Sequence, residues 1–342
     1  MAISQVLINA VEKLKQEKIP TPRLDAEILL SHILKKSREY IYTYPNYKLS
    51  KSIVARYALC VTRRIKGEPI AYITGHKEFY GLNFFVNKNV LVPRPETELM
   101  VDEALRAAHN PANALQNGAG AQRITLIDVG TGSGCIIISL AKLLKNKIRN
   151  PKSEIRYLAT DISKPALAIA KKNAKLHHVD KQINPAPLGQ SYNKNNVNDN
   201  KKLPQRCGVK FLHGNLLEPF LKLIKKPKFK IQNSKFIILA NLPYLTPAQI
   251  KNSPSIQCEP KIALNAGHDG LKYYRELFKQ IKKLNTLYVM RYALCEIDPR
   301  QTVMLKQLIK KILPKAKIQI KKDLSGLNRL AIINIPNSCL SR

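Results

Sequence analysis

Acidic residues are scarce. The 342-residue chain carries 23 Asp+Glu against 58 Lys+Arg, a formal net charge of +35 at pH 7. A surface so cationic suits a polyanionic neighbour such as RNA, a ribosome or an acidic protein patch. Lys, Ile and Asn are abundant together, as translation of an AT-rich genome would also produce, so the charge alone fixes neither fold nor chemistry. Cysteine is sparse and scattered (Cys60, Cys135, Cys207, Cys258, Cys295, Cys339), with no C-x-x-C pair, which argues against a zinc centre or a disulfide framework. The histidines show no H-x-x-x-H spacing. His177 and His178 are adjacent, so on a helix they would face different directions, and both are expected in solvent. No apolar run approaches the ~18 residues needed to cross a bilayer. The first residues lack an apolar signal core and the Arg-rich bias of a transit peptide. The expectation is a reduced, cytoplasmic, metal-free protein, monomeric by default.

Hydrophobic residues make up 44% of the chain, enough for a sizeable core. Residues 1–75 read as a small helical domain. Val6, Leu7, Ala10, Val11 and Leu14 recur at helical spacing, as do Leu24, Ile28, Leu29, Ile33 and Leu34, with Ile19-Pro20-Thr21-Pro22 breaking the two runs. A third run spans Ser52 to Ile65. Residues 76–95 change character: Phe79 to Val86 followed by Val90-Leu91-Val92 predicts a β-hairpin connector, closed by Pro93-Arg94-Pro95. From residue 96 to 342 helical stretches alternate with short apolar strands, expected at 124–129, 155–160, 209–213, 235–240, 287–295, 316–320 and 329–335. Alternation at this interval implies βαβ units and a mostly parallel sheet. The Asn-rich segment 182–208 and the shorter 108–122 read as surface insertions without chemistry.

Two segments carry the chemistry. Asp128-Val129-Gly130-Thr131-Gly132-Ser133-Gly134 follows the first strand of the sheet and opens a helix. Glycines there let the backbone turn sharply and approach a ligand at the helix N-terminus. Alone, the pattern suits either a dinucleotide or the methionine end of S-adenosylmethionine. Asp161 ends the next strand and can accept hydrogen bonds from both hydroxyls of a ribose. An isolated Asp after a strand is more often a helix N-cap, but one βαβ unit beyond the glycines ribose binding is the better reading.

The second segment, Asn241-Leu242-Pro243-Tyr244, follows strand 235–240, also at the carboxyl edge of the sheet. Methylating an amide or an aromatic amine requires holding a planar NH2 with its face toward the methyl donor. An Asn carbonyl and a backbone carbonyl can accept its two N–H bonds, and a tyrosine ring can stack on the planar group.

With these residues in place, the chain resembles the HemK/PrmC family of release factor glutamine N5-methyltransferases. The resemblance runs to residue 336 apart from the two insertions. It is carried by Pro22-Arg23-Leu24-Asp25-Ala26-Glu27, by the block from Gly67 to Glu98 (GEPIAYITGHKEFYGLNFFVNKNVLVPRPETE), by Glu259 to Leu264 with Gly267 to Leu271, and by Lys322 to Arg329. It implies an α/β, Rossmann-like, seven-stranded class I S-adenosylmethionine-dependent methyltransferase, with a small N-terminal helical domain joined to it by a β-hairpin. It also implies that Gly130, Thr131, Gly132, Ser133, Gly134 and Asp161 contact S-adenosyl-L-methionine. In the same reading Asn241, Leu242, Pro243 and Tyr244 hold the glutamine of the Gly-Gly-Gln motif of class-1 peptide chain release factors, and the helical domain helps recognise the factor.

Three positions depart from the family's pattern. Leu242 replaces the first of two prolines, which keeps the backbone acceptor and loses the fixed φ. Asn215 and Leu216 stand where an acid and an aromatic commonly lie near the adenine, and a neutral acceptor is weaker than a charged one. Asp298 replaces a glycine after Glu296-Ile297, tolerable with a negative φ. Glu96, Glu98 and Glu259 are expected to be structural. Two other readings remain: an adenine-N6 methyltransferase of rRNA or DNA, since Asn-Leu-Pro-Tyr also occurs in rRNA dimethyltransferases, and a non-catalytic RNA- or ribosome-binding protein that keeps the fold. Against the first stand the helical domain and the Gly67-to-Glu98 block. The Lys runs at 222–230 and 310–322 also lack the interleaved aromatics of a stacking platform.

Overall fold

The computed structural model describes residues 1–109, 123–144, 154–180, 208–226, 234–285 and 290–336. The chain opens with α1 (Ile3–Gln16), α2 (Pro22–Leu34), α3 (Arg38–Thr43), α4 (Lys51–Ile65) and α5 (Ile70–Thr74). The helical periodicity of the sequence becomes one shared core: Ile3, Val6, Leu7, Ala10 and Leu14 of α1 meet Leu29, Leu30 and Ile33 of α2 and Tyr57, Cys60 and Val61 of α4. Pro22 stands in the first turn of α2, where a missing N–H costs no helical hydrogen bond. The acids of the Pro22-to-Glu27 block are buried and paired. Asp25 meets Arg64 of α4 at 2.6 Å, and Glu27 meets Arg23 at 3.0 Å and Arg38 at 2.6 Å.

An antiparallel ribbon follows, β1 (His76–Phe79) and β2 (Leu82–Phe85), with His76 opposite Phe85 and Phe79 opposite Leu82. This corrects the expected strand boundaries. Tyr80 and Gly81 form the turn, with φ of 52° and 70°, and Val90-Leu91-Val92 is not a strand. Two central residues at positive φ make the turn that matches the right-handed twist of a hairpin. The strain at Tyr80 is offset by two bonds to the next helix, its N–H to Glu98 Oε1 (2.8 Å) and its hydroxyl to Asp102 (2.7 Å).

Beyond the ribbon, strands and helices alternate: α6 (Glu98–His109), β3 (Arg123–Val129), α7 (Cys135–Leu144), β4 (Glu154–Asp161), α8 (Lys164–Leu176), β5 (Val209–His213), α9 (Glu218–Ile224), β6 (Ser234–Ala240), α10 (Pro247–Lys251), α11 (Lys272–Asn285), β7 (Met290–Glu296), α12 (Thr302–Ile312), β8 (Lys317–Lys322) and β9 (Asn328–Asn334). All seven expected strands are present, and they form one sheet in the order β5-β4-β3-β6-β7-β9-β8. Pairing is parallel from β5 through β7, and β9 runs antiparallel to both its neighbours. The expected insertions at 182–208 and 108–122 fall almost wholly outside the described residues.

Both sheet faces are covered. Helix α7 is apolar on nearly every side and lies with Phe79 and Phe84 of the ribbon and Met100, Val101 and Ala104 of α6 on one face. Tyr274, Leu277, Phe278 and Ile281 of α11 pack with Leu305 and Ile309 of α12 on the other. His177 corrects the expectation of a solvated side chain. Helix α8 ends against the ribbon, so His177 turns inward, with a ring nitrogen 2.9 Å from Asn83 O and its ring 4.9 Å from that of Phe84. His178 takes φ 56° and is exposed, as expected.

Candidate active site

Strand order reverses between β3 and β6, the position where open α/β sheets leave a crevice at the carboxyl ends of their strands. A cleft of about 970 Å³, counted out to its mouth, opens there. Its walls include Gly130, Thr131, Gly132 and Ser133 after β3, Asp161 after β4, Asn215 and Leu216 after β5, and Asn241, Leu242 and Pro243 after β6. Residues up to 113 positions apart in the sequence thus meet in one crevice, as the motif reading expects. Two expected site residues, Gly134 and Tyr244, do not line it.

The glycine turn is held from below by its neighbour strand: the Gly130 and Thr131 N–H groups donate to Thr160 O at 2.9 and 3.0 Å. A Cβ on Gly132 would project into open space, so the backbone there stays bare toward a ligand. Gly134 serves packing instead. At φ 83° its Cβ would stand 2.8 Å from Ile138 Cδ1 and 3.2 Å from Ala170 Cβ, so it sets how closely α7 approaches α8. Asn173 of α8, absent from the sequence reading, locks this corner. Its side chain donates to Ser133 O (2.8 Å) and Phe85 O (3.0 Å) and accepts from the Phe85 N–H (2.7 Å), tying the ribbon to the turn.

Asp161 is buried at the cleft wall. One carboxylate oxygen accepts the Gly132 N–H at 2.9 Å and the other the Ser163 N–H at 2.8 Å. Burial pushes its carboxyl above the usual range, opposed by the N–H groups of Ser163, Gly132 and Ile162. Each oxygen retains a lone pair, so a vicinal diol can be taken by the two together. Asp128 is fully buried beside the turn. Its Oδ2 accepts the Thr131 hydroxyl at 2.6 Å while Oδ1 has no partner among the described residues, and burial raises its pKa to about 7. Asn215 lines the cleft and uses Nδ2 on Glu218 (3.4 Å), which leaves its carbonyl oxygen as an acceptor. An ionisable acid, a glycine turn without side chains toward the cleft and a neutral amide acceptor are what a nucleoside with a cationic tail requires, so the residues present fit S-adenosylmethionine.

Across the cleft, Asn241 Nδ2 donates to Thr97 Oγ1 at 3.1 Å. Neither Asn241 Oδ1 nor Leu242 O takes a bond from the described residues, and both remain as acceptors. The departure at Leu242 has a structural account. Its side chain is 3% exposed, belongs to the core with Tyr274, and fills the space beside Gly130, where a Cβ would lie 3.0 Å from Leu242 Cδ2. Tyr244 turns its hydroxyl toward Glu296, 3.5 Å from Oε1, and its carbonyl accepts from Gln301 Nε2 at 2.7 Å. Asp298 sits at φ −70°, accepts the Arg300 N–H and pairs with the Arg300 guanidinium, and accepts from Gln249 Nε2 of α10 at 3.1 Å. Glu98 and Glu259 are structural, as expected. Glu98 accepts the Tyr80 N–H, while Glu259 accepts the Val92 N–H at 3.1 Å and pairs with Arg94.

A buried acid one strand away from a glycine turn, across from a loop with open carbonyl acceptors at the reversal of a seven-stranded sheet, is the architecture of the class I S-adenosylmethionine-dependent methyltransferases. Residues 5–75 match the PrmC N-terminal domain, and residues 112–202 match the ribosomal protein L11 methyltransferase (PrmA). The chain is 30% identical over 315 residues to the release factor glutamine methyltransferase of Coxiella burnetii, covering 91% of each. It is 33% identical over 293 residues to the bifunctional methyltransferase of Rickettsia typhi, covering 82% of this chain and 48% of that one. The chain thus spans about half the length of the bifunctional relatives it matches. Among solved structures it resembles the N-terminal domain of human METTL16 in complex with SAH, at 16% identity and a TM-score of 0.43, over 90% of this chain and 93% of that one. The chain belongs to the release factor glutamine methyltransferase family.

Proposed function

We propose that this chain transfers a methyl group from S-adenosylmethionine to the side-chain amide nitrogen (N5) of the glutamine in the Gly-Gly-Gln motif of class-1 peptide chain release factors, in the cytoplasm. The observation that carries the reading is the pair of bondless acceptors, Asn241 Oδ1 and Leu242 O, opposite Asp161 in one cleft. Two acceptors suit the two N–H bonds of a primary amide and fix the rotation of its plane. They also favour charge developing on the amide nitrogen as it is alkylated, since preorganised dipoles aimed at that nitrogen need no reorganisation. Gly130, Gly132, Asp161 and Asn215 would hold S-adenosylmethionine, which supplies an electrophilic methyl on a sulfonium. Asp161 would grip its ribose and Asn215 Oδ1 its adenine amine, while Tyr244, outside the cleft lining, would brace the loop from behind through Glu296 and Gln301. The amide loses a proton to water, and no strong general base is needed.

The helical bundle supports a protein substrate over rRNA, because its core from Ile3 to Ile73 is a folded unit of the matched PrmC type. The test is transfer from labelled S-adenosylmethionine to a purified class-1 release factor, intact or with the Gly-Gly-Gln glutamine changed to alanine, with rRNA as competing acceptor. Label on the intact factor alone is expected. Label on rRNA would replace this reading with adenine methylation.

A further inference from the structure

Four tyrosines of the helical domain, Tyr40, Tyr42, Tyr44 and Tyr47, crowd one short segment, and none lines the cleft. Tyr42, Tyr44 and Tyr47 are 50%, 51% and 54% exposed. The aliphatic residues of the segment go the other way, since Ile41 and Leu49 are buried in the bundle core. Aliphatic side chains thus anchor the segment and its rings are left in solvent.

The rings are held in place. Helix α3 ends at Thr43, and Tyr44-Pro45-Asn46-Tyr47 forms a turn closed by the Tyr47 N–H to Tyr44 O at 3.1 Å. That turn is pinned to the start of α1, where the N–H groups of Ser4 and Ile3 donate to Pro45 O (2.9 Å) and Tyr47 O (3.1 Å). Tyr40 and Tyr44 lie one helical turn apart, with ring centroids separated by 4.7 Å. Rings fixed in advance lose little freedom when a ligand stacks on them.

Cations surround them. Lys36 Nζ stands 5.4 Å from the Tyr40 ring centroid, and the Arg23 guanidinium of α2 stands 5.9 Å from that of Tyr42. Residues 35–51 hold Lys35, Lys36, Arg38, Lys48 and Lys51, all exposed, against a single acid, Glu39. Arg23 and Arg38 are committed to Glu27, whereas the four lysines make no ion pair among the described residues. Open ring faces beside unpaired lysines suit a single-stranded nucleic acid, whose bases stack on the rings while its phosphates meet the ammonium groups. This is the interleaving that the Lys runs at 222–230 and 310–322 lack. A protein partner would call for an apolar centre poor in lysine, and the segment offers neither. The hydroxyls of Tyr40, Tyr44 and Tyr47 take no bond among the described residues, which leaves them for the 2′-hydroxyls that mark RNA.

We propose that this surface of the helical domain docks single-stranded RNA, with bases on Tyr40, Tyr44 and Tyr47 and phosphates at Lys36 and Lys48. It is a docking surface, and it stands whichever acceptor takes the methyl group.

The test uses the full chain and a fluorescein-labelled oligouridylate, followed by anisotropy at several salt concentrations. Binding is expected, and it should be weaker for duplex RNA of the same length and for oligodeoxyuridylate. Tyr44→Ala combined with Tyr47→Ala should weaken it by about tenfold or more at an unchanged salt slope. Tyr44→Phe with Tyr47→Phe should keep most of the affinity and narrow the preference for RNA. Lys36→Gln with Lys48→Gln should flatten the slope of log affinity against log salt by about 1.4, two phosphates at about 0.7 each. The chain has no tryptophan, so quenching of its tyrosine emission by RNA reports stacking directly. Circular dichroism shows that each variant is folded. Binding that ignores the tyrosine substitutions would reduce the surface to diffuse positive charge and overturn the inference. Equal affinity for duplex RNA or for oligodeoxyuridylate would overturn it too. So would absent RNA binding, and if the tyrosine substitutions then weakened capture of a class-1 release factor, the surface would be a protein contact instead.

Discussion

Replacing Gly270 by alanine is expected to damage the site through the backbone of Tyr244. Gly270 lies in the turn before α11 at φ 70°, and an added Cβ would fall far inside contact distance of both Gln301 Nε2 and Tyr244 O. The Gln301 amide is the strut at this point, donating to Tyr244 O at 2.7 Å and to Asp269 O at 3.3 Å. The left-handed conformation costs a residue with a Cβ about 1–2 kcal/mol. Displacing Gln301 forfeits two hydrogen bonds of about 1 kcal/mol each, which brings the whole effect to roughly 3–4 kcal/mol. Gly67 supplies the control, since at φ 85° its Cβ would meet nothing within 4 Å, so Gly67→Ala bears the conformational cost alone. Thermal melting and single-turnover methyl transfer distinguish the two. At about 2–4 °C per kcal/mol for a domain of this size, the roughly 2 kcal/mol difference should make Gly270→Ala melt roughly 4–8 °C below Gly67→Ala. It should also slow transfer, while Gly67→Ala leaves the rate near normal. Equal melting points and equal rates would show that Gln301 does not brace the tetrapeptide.

Asp128 and Glu296 are both raised to about 7 by burial, so each favours the fold at low pH, and that stability is lost as pH climbs through their folded values. Glu296→Gln should consequently gain about 3 kcal/mol relative to the unaltered chain between pH 5 and pH 8, read by urea unfolding, and an unchanged difference would refute the buried-acid account. Asp161→Asn replaces a charged acceptor with a neutral one that keeps only one oxygen, so calorimetry with S-adenosylhomocysteine should show affinity lower by about tenfold or more. Retained affinity would remove Asp161 from the ribose site. Leu242→Ala leaves a cavity and should cost about 2–5 kcal/mol of stability while preserving the backbone acceptor, so kcat well below the melting point stays within a few-fold. A collapse of kcat in the folded variant would show that the side chain, not the carbonyl, serves catalysis.

The sheet was legible because its strands are short apolar runs punctuated by turns, and because glycine turn, acid and tetrapeptide each end a strand. The ribbon was misplaced for a physical reason. Phe79 to Val86 reads as one continuous strand, and only the left-handed backbone at Tyr80, sustained by Glu98 and Asp102, folds it in two. His177 looked solvated because it and its neighbour His178 face different directions on a helix, and the ribbon packing on α8 is invisible in the sequence. Asn173 and Gln301 were missed for the same cause. They act through backbone carbonyls of distant segments, and no local pattern marks such a partner.

The central claim is that Asn241 and the Leu242 carbonyl grip a glutamine amide. Its most direct test is mass-spectrometric mapping of a class-1 release factor after incubation with this chain and S-adenosylmethionine, beside the Asn241→Ala variant. The account predicts a single methyl on the side chain of the Gly-Gly-Gln glutamine, absent with Asn241→Ala while cofactor affinity is little changed. A methyl on any other residue, or undiminished methylation by Asn241→Ala, would contradict it.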